Sequence, residues 1–255
     1  MTKIYEALER VQKETRGSRK EQDTSLPHQR VSPSSPPLSG LFMQDEMALL
    51  FQNLNPLLSN SLKKIVQFIG SREGEGTSTV IREFAIVSAT KFGKLVLLLD
   101  ADQNKPTHHF FFNLKKTEGS PKSEYGWNDV ALSEEPVDKA LYQIPGTSLF
   151  ISPVSQNSMS IQRIFNAHEI DAFLERLKQK FDLILIDSPP VTISSDGLAI
   201  SKKVDGVVLV LEAENTRWPI VENVKSLIER NGGNLLGMVF NKRRYYIPDS
   251  IYRRL

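Results

Sequence analysis

The stretch Ser71-Arg72-Glu73-Gly74-Glu75-Gly76-Thr77-Ser78-Thr79 constrains this chain more than any other. It reads as a phosphate-binding loop with one part missing. A loop of the form [A/G/S]-x-x-x-x-G-K-[S/T] carries lysine after its last glycine, and here Thr77 follows Gly76. Gly74 and Gly76 let backbone N–H groups approach phosphate oxygens, and a helix beginning at Thr77 aims its positive end at them. Ser78 stands where a Mg²⁺-binding hydroxyl is expected, with Thr79 beside it. Taken alone, the same residues also fit a glycine-rich turn from strand to helix.

What surrounds the loop narrows the choice. Residues 65–70, 95–99, 148–152, 182–186, 206–211 and 235–240 are aliphatic strand candidates. Helical patterns over 77–92, 161–180 and 216–230 alternate with them. Near-continuous aliphatic strands alternating with helices predict a mostly parallel sheet covered on both faces, a doubly wound α/β domain. Residues 113–128 are the least regular part and read as a surface insertion.

Two of these strands end in acids. Leu98-Leu99-Asp100-Ala101-Asp102 places two carboxylates one residue apart after a buried strand, a pattern suited to a metal or to a hydroxyl nucleophile beside a γ-phosphate. By itself it also fits a helix cap or a loop salt bridge. Leu183-Ile184-Leu185-Ile186-Asp187-Ser188-Pro189-Pro190 has the Walker B form, in which the acid holds Mg²⁺ directly or through water. The prolines fix the exit from the strand. Loop and acids all fall at the carboxyl ends of strands, where open α/β sheets bind ligands. Together they define a P-loop fold.

Composition excludes several alternatives. The formal net charge is +2 over 255 residues, which argues against a nucleic-acid surface. The chain has no cysteine, which removes disulfides, thiolate catalysis and cysteine metal sites and fits a cytoplasmic setting. The aliphatic runs are too short to span a bilayer, and Met-Thr-Lys-Ile-Tyr-Glu at the start has no apolar signal core. Residues 2–16 form an amphipathic pattern with Ile4, Leu8 and Val11 near one face. Residues 17–40 hold four prolines and six serines and read as a flexible linker. The ordered domain is expected from residue 41 to 255.

Residues 41–255 resemble the cytoplasmic domain of bacterial tyrosine kinases (BY-kinases) of capsule and exopolysaccharide synthesis, of the CpsD/CapB type, related to the MinD and ParA ATPases. The resemblance rests on the loop 71–79 and on Leu99-Asp-Ala-Asp-Gln-Asn-Lys-Pro106, similar to the family's Walker A′. It rests also on Phe181-Asp-Leu-Ile-Leu-Ile-Asp-Ser-Pro-Pro190 followed by Asp196, on Val204-Asp-Gly-Val-Val-Leu-Val210, and on Leu236-Gly-Met-Val-Phe-Asn241. Ile4-Tyr-Glu-Ala-Leu8 is similar to the start of soluble members. The resemblance implies ATP bound at Ser71, Gly74, Glu75, Gly76, Thr77, Ser78 and Thr79, with Asn241 at the adenine. It implies Mg²⁺ at Ser78, Asp100 and Asp187, and catalysis by Asp100, Asp102 and Asp187. Autophosphorylation is implied at Tyr245, Tyr246 and Tyr252. From composition alone those tyrosines equally fit an aromatic-anchored terminal element. The implied partners are further copies in a ring, with one tail entering the next active site, and a Wzz-like membrane co-polymerase or an active BY-kinase. Location would be cytoplasmic, peripheral at the membrane through that partner, with residues 1–16 as a docking segment.

Three departures stand against this. Thr77 supplies a hydroxyl where the family has a charge on the β- and γ-phosphates, and losing such a contact costs on the order of 10²–10³ in rate. In Glu46-Met-Ala-Leu-Leu-Phe-Gln52, Leu49 and Gln52 replace the arginines of an E-x-x-R-x-x-R ring-forming helix. Asn104-Lys105-Pro106 replaces an Arg-Arg-Pro run, and Lys105 is a candidate to reach toward phosphate. These departures favour a regulatory member with weak or lost kinase activity over an active autokinase that tolerates Thr77. A MinD/ParA-like positioning ATPase ranks third, since those proteins keep the loop lysine and add another where Arg72 stands.

Overall fold

In the computed structural model, the described residues are 29–30, 43–58, 64–112, 114, 125–133, 135–155 and 159–243. The expected N-terminal helix, nearly all of the linker and the three tail tyrosines lie outside them, as does most of the predicted insertion at 113–128.

The strands are β1 (Gln29–Arg30), β2 (Lys64–Gly70), β3 (Val96–Asp100), β4 (Tyr142–Gln143), β5 (Leu149–Ser152), β6 (Leu183–Asp187), β7 (Gly206–Glu212) and β8 (Leu235–Asn241). They form one sheet in the order β1-β4-β5-β3-β6-β2-β7-β8. Every neighbouring pair is parallel except β4 with β5. The helices are α1 (Gln44–Leu57), α2 (Thr77–Thr90), α3 (His108–Phe111), α4 (Trp127–Val130), α5 (Ile161–Asn166), α6 (Glu169–Lys180), α7 (Asp196–Ser201) and α8 (Trp218–Arg230). From β2 the chain moves outward to β3 and β5, returns to insert β6 between β2 and β3, then continues to β7 and β8 on the other side. The reversal of direction beside β2 opens the crevice in which doubly wound sheets bind ligands.

Residue alternation explains the two covered faces. Val66, Phe68, Val96, Leu98, Leu183, Leu185, Val208 and Val210 point to the side covered by α1 and α2, where Met47, Leu54, Ile81 and Phe84 meet them. Ile65, Leu97, Leu99, Ile184 and Ile186 point to the other side, onto Trp127, Ile164, Phe165, Phe173 and Leu177. Further along that side Ile69, Val207, Leu209 and Leu211 pack on Val221, Val224 and Ile228 of α8.

One predicted helix is two. The pattern over 161–180 breaks after Asn166, where Ala167 takes an extended backbone. The cause lies in the phase of the apolar residues. At about 100° per residue, Ile161, Ile164 and Phe165 cluster on one side of a continuous helix. Ile170, Phe173, Leu174 and Leu177 would cluster on the opposite side. All seven are buried, so the chain must turn between the two sets.

Candidate nucleotide site

The loop leaves β2 at Gly70 and enters α2 at Thr77. Gly74 and Gly76 both sit at φ +88°, in the left-handed region where glycine is at home. Gly76 is constrained a second way, since a Cβ there would lie 2.2 Å from Asn241 Nδ2. No side chain caps the start of α2, so its first turn presents backbone N–H groups toward the loop's concave side. Thr77 is the first residue of the helix, half-buried, with Ser78 half-buried beside it and Thr79 exposed.

Glu75 organises the loop from within. Its carboxylate is fully buried. Oε2 accepts the amides of Ser71 at 2.6 Å and Arg72 at 3.0 Å, and Oε1 accepts the hydroxyls of Ser71 at 2.8 Å and Thr216 at 2.6 Å. Asn241, at the end of β8, donates from Nδ2 to the Glu75 carbonyl at 2.9 Å. The next residue, Lys242, donates from Nζ to the Gly74 carbonyl. The end of the last described strand thus clasps the loop from outside. Lys105 Nζ reaches the loop at Glu73, 2.7 Å away. Both side chains are exposed, so the pair contributes little to stability.

The acids stand at the carboxyl edge of the sheet from which the loop also leaves. Asp100 and Asp187 are the last residues of β3 and β6 and stand directly opposite each other in register. Both are almost fully buried. Asp100 accepts amides from Asp102 at 3.2 Å, Thr107 at 3.1 Å and His108 at 3.3 Å, and Trp127 Nε1 donates to its carbonyl at 2.7 Å. Asp102, half-buried, accepts the amides of Asn104 at 3.0 Å and Lys105 at 3.1 Å. Asp196 begins α7, with Oδ1 accepting the Gln162 amide at 2.9 Å and Oδ2 the Ser194 hydroxyl at 2.6 Å. Its carboxylate is engaged in holding α5 and α7 together.

Sequence reasoning missed His108. Its side chain is completely buried, with Nε2 2.8 Å from Asp187 Oδ2. Asp100, His108 and Asp187 bring ligand-type atoms within 4.8 Å of one another. Burial is the largest influence on Asp100; with the neighbouring charge of Asp187 it pushes the carboxyl up to about 6, against the pull of His108 and the amides. Burial draws His108 down, but the Asp187 hydrogen bond and the charges of both aspartates outweigh it and hold the imidazole above its ordinary range. Burial likewise raises Asp102. His108 was legible only as one of two adjacent histidines after a loop, a weak signal. Gln67 was missed as well. Buried in mid-strand, it donates from Nε2 to Ser188 Oγ and to the Gly197 carbonyl, both at 2.8 Å, tying β2 to the segment after Asp187.

Two carboxylates at neighbouring strand ends, with a hydroxyl at the head of α2, match the donor set by which Mg²⁺ is held beside phosphates, through one or two carboxylates and its own waters. The residues therefore fit the ion.

Comparison with known proteins agrees with this geometry. No family model matches the sequence. The chain is similar to the tyrosine-protein kinase CpsD of Streptococcus agalactiae, 28% identical over 188 residues that span 74% of this chain and 79% of CpsD. It is similar to the tyrosine-protein kinase YwqD of Bacillus subtilis, 25% identical over 181 residues, 71% of this chain and 73% of YwqD. Among solved structures, the chimerical protein CapA2B2 superposes with a TM-score of 0.69 at 21% identity, covering 86% of this chain and 96% of the other. The kinase domain of Escherichia coli tyrosine kinase ETK gives 0.68 at 18% identity, over 80% and 78%. MinD of Pyrococcus horikoshii, complexed with Mg-ADP, gives 0.57 at 18% identity, over 75% and 76%. The fold is that of the P-loop class to which MinD belongs. Within that class the chain is similar to bacterial tyrosine-protein kinases of the CapB/CpsD type.

Proposed function

We propose that the protein is a BY-kinase-like component of capsule or exopolysaccharide synthesis that binds Mg·ATP, with tyrosine autokinase activity weak or lost. One observation carries this reading: an uncharged Thr77 heads α2, where the loop motif requires lysine. The N–H groups of the loop and first turn would hold the phosphates. Ser78, Asp100 and Asp187 would hold Mg²⁺, which when bound offsets phosphate charge. Asp102 would orient an incoming tyrosine hydroxyl. Binding survives the loss of the lysine because backbone donors and the ion remain. Transfer suffers because charge develops on the phosphoryl group and the loop's own cation is absent.

The exposed face of α1 supports a regulatory role. Glu46 and Gln52 are exposed and Leu49 is 58% exposed, so the positions where a ring-forming helix would carry arginines face solvent without them. A protein without that ring acts through other partners: a Wzz-like membrane co-polymerase or an active BY-kinase. Among the described residues no helix is long and apolar enough to cross a membrane, so membrane placement would come through such a partner.

The test is phosphotyrosine formation after incubation with Mg²⁺ and ATP, in the wild type and in Thr77→Lys. The reading predicts little or no label in the wild type and a clear gain in Thr77→Lys. Strong wild-type label that disappears in Asp102→Asn would instead establish an active autokinase that tolerates Thr77.

A further inference from the structure

Arg82 lies in the second turn of α2, three residues after Thr79 and four after Ser78. That spacing puts it on the same helix face as both hydroxyls. Long side chains on a helix lean toward its N-terminus, and Arg82 does so, with Nη2 3.4 Å from Thr79 Oγ1. Its guanidinium lies over the Phe111 ring, 3.8 Å from the centroid. Phe111 belongs to α3, the short helix that follows the Asp100–Asp102 acids. The aromatic face therefore fixes the cation between the phosphate loop's helix and the acid loop. Burial is the largest influence on Arg82 and lowers its pKa, against the opposing charges of Asp187, Glu83 and Asp100. A guanidinium remains charged regardless. Among the described residues Arg82 makes no ion pair, so this half-buried cation keeps donors for an anion.

We infer that Arg82 supplies, from the second turn of α2, the positive charge for the terminal phosphate of bound nucleotide that Thr77 does not provide. The inference rests on the nucleotide-site reading above. The two residues divide what a loop lysine combines: Thr77 leaves the loop neutral, and Arg82 approaches from the side of the Asp100–Asp102 loop, against Phe111, with a planar fork suited to phosphate oxygens. Stacking on Phe111 holds that fork in place before nucleotide arrives, which lowers the entropy lost on binding.

Calorimetric titration of the full chain with Mg·ATP and Mg·ADP tests this. The wild type is expected to prefer ATP. In Arg82→Ala, Mg·ATP affinity falls by about ten-fold or more, the usual effect of losing a charged hydrogen bond, and Mg·ADP affinity by less than about three-fold. Arg82→Lys keeps most of the ATP preference. Thr77→Lys restores it in the Arg82→Ala background, a rescue that a merely structural role for Arg82 would not give. Equal loss for both nucleotides, or no change in Arg82→Ala while the wild type binds, overturns the role of Arg82 and leaves the nucleotide site standing. A wild type that binds neither nucleotide overturns both.

Discussion

The two walls of the candidate site are built on different terms. The acid wall, Asp100, His108 and Asp187, is buried: His108 Nε2 bonds Asp187 and Asp100 accepts amides of the following loop, while His108 Nδ1 has no hydrogen-bond partner among the described residues. The loop wall, from Glu73 to Thr79, is partly open, held in shape by Glu75 from within and by Asn241 and Lys242 from outside. A change at Asp187 strands a buried imidazole. A change at Thr77 alters a half-buried hydroxyl on which little else depends. The site can therefore lose its loop charge with the fold intact, whereas it cannot lose its acids without disturbing the sheet end they cap. A missing lysine is a statement about chemistry, and the retained acids are in part a statement about packing.

That contrast can be broken by stability measurements on the nucleotide-free protein. The largest effect is expected for Asp187→Ala, which leaves His108 buried without its partner. Breaking such a pair costs about 3–5 kcal/mol, a fall of roughly 10 °C in melting temperature. Thr77→Ala, by contrast, should stay within about 2 °C of wild type. Comparable losses in both would erase the distinction between the walls. Gly76→Ala comes next, at about 2 kcal/mol. It forces a left-handed backbone on a residue with a Cβ and drives that Cβ into Asn241. Thermal melts should place it between the two.

The pH dependence of melting sharpens the picture of the acid wall. Asp100 and His108 are both raised in the folded protein. The native state therefore holds more protons than the unfolded chain from about pH 4 upward, and the stability they contribute at low pH is lost as pH rises through their folded values. Between pH 5 and 8 the melting temperature should fall by a few degrees, and Asp100→Asn should flatten the slope. A slope unchanged in that variant would mean the titrating groups lie elsewhere. A smaller effect than that of Gly76→Ala is expected for Asn241→Ala, about 1 kcal/mol from one hydrogen bond to the loop, read as faster amide exchange in 74–77 with the rest of the sheet unchanged.

Much of this was legible in the sequence, for definite reasons. Strands buried on both faces must be aliphatic throughout, so 65–70, 95–99, 182–186 and 206–211 stand out against helical patterns. The acids Asp100 and Asp187 were visible because each is a charge that ends an aliphatic run at the carboxyl edge of the sheet. His108 and Gln67 were not visible, because their roles exist only once separate strands bring distant partners to them: Asp187 for the first, Ser188 and Gly197 for the second. The break at Ala167 was encoded in the phase of the apolar residues and is missed when 161–180 is read only for its apolar content. Arg82 carries no motif at all. Its place beside Phe111 depends on where α3 packs, which no local spacing predicts.

The central claim is that this is a nucleotide site weakened in one charge and intact in the rest. The most direct test is a titration of the wild-type protein with ATP, with and without Mg²⁺, beside Thr77→Lys. The account predicts measurable, Mg²⁺-dependent binding in the wild type and binding about 10–100-fold tighter in Thr77→Lys. No binding in either protein would contradict it.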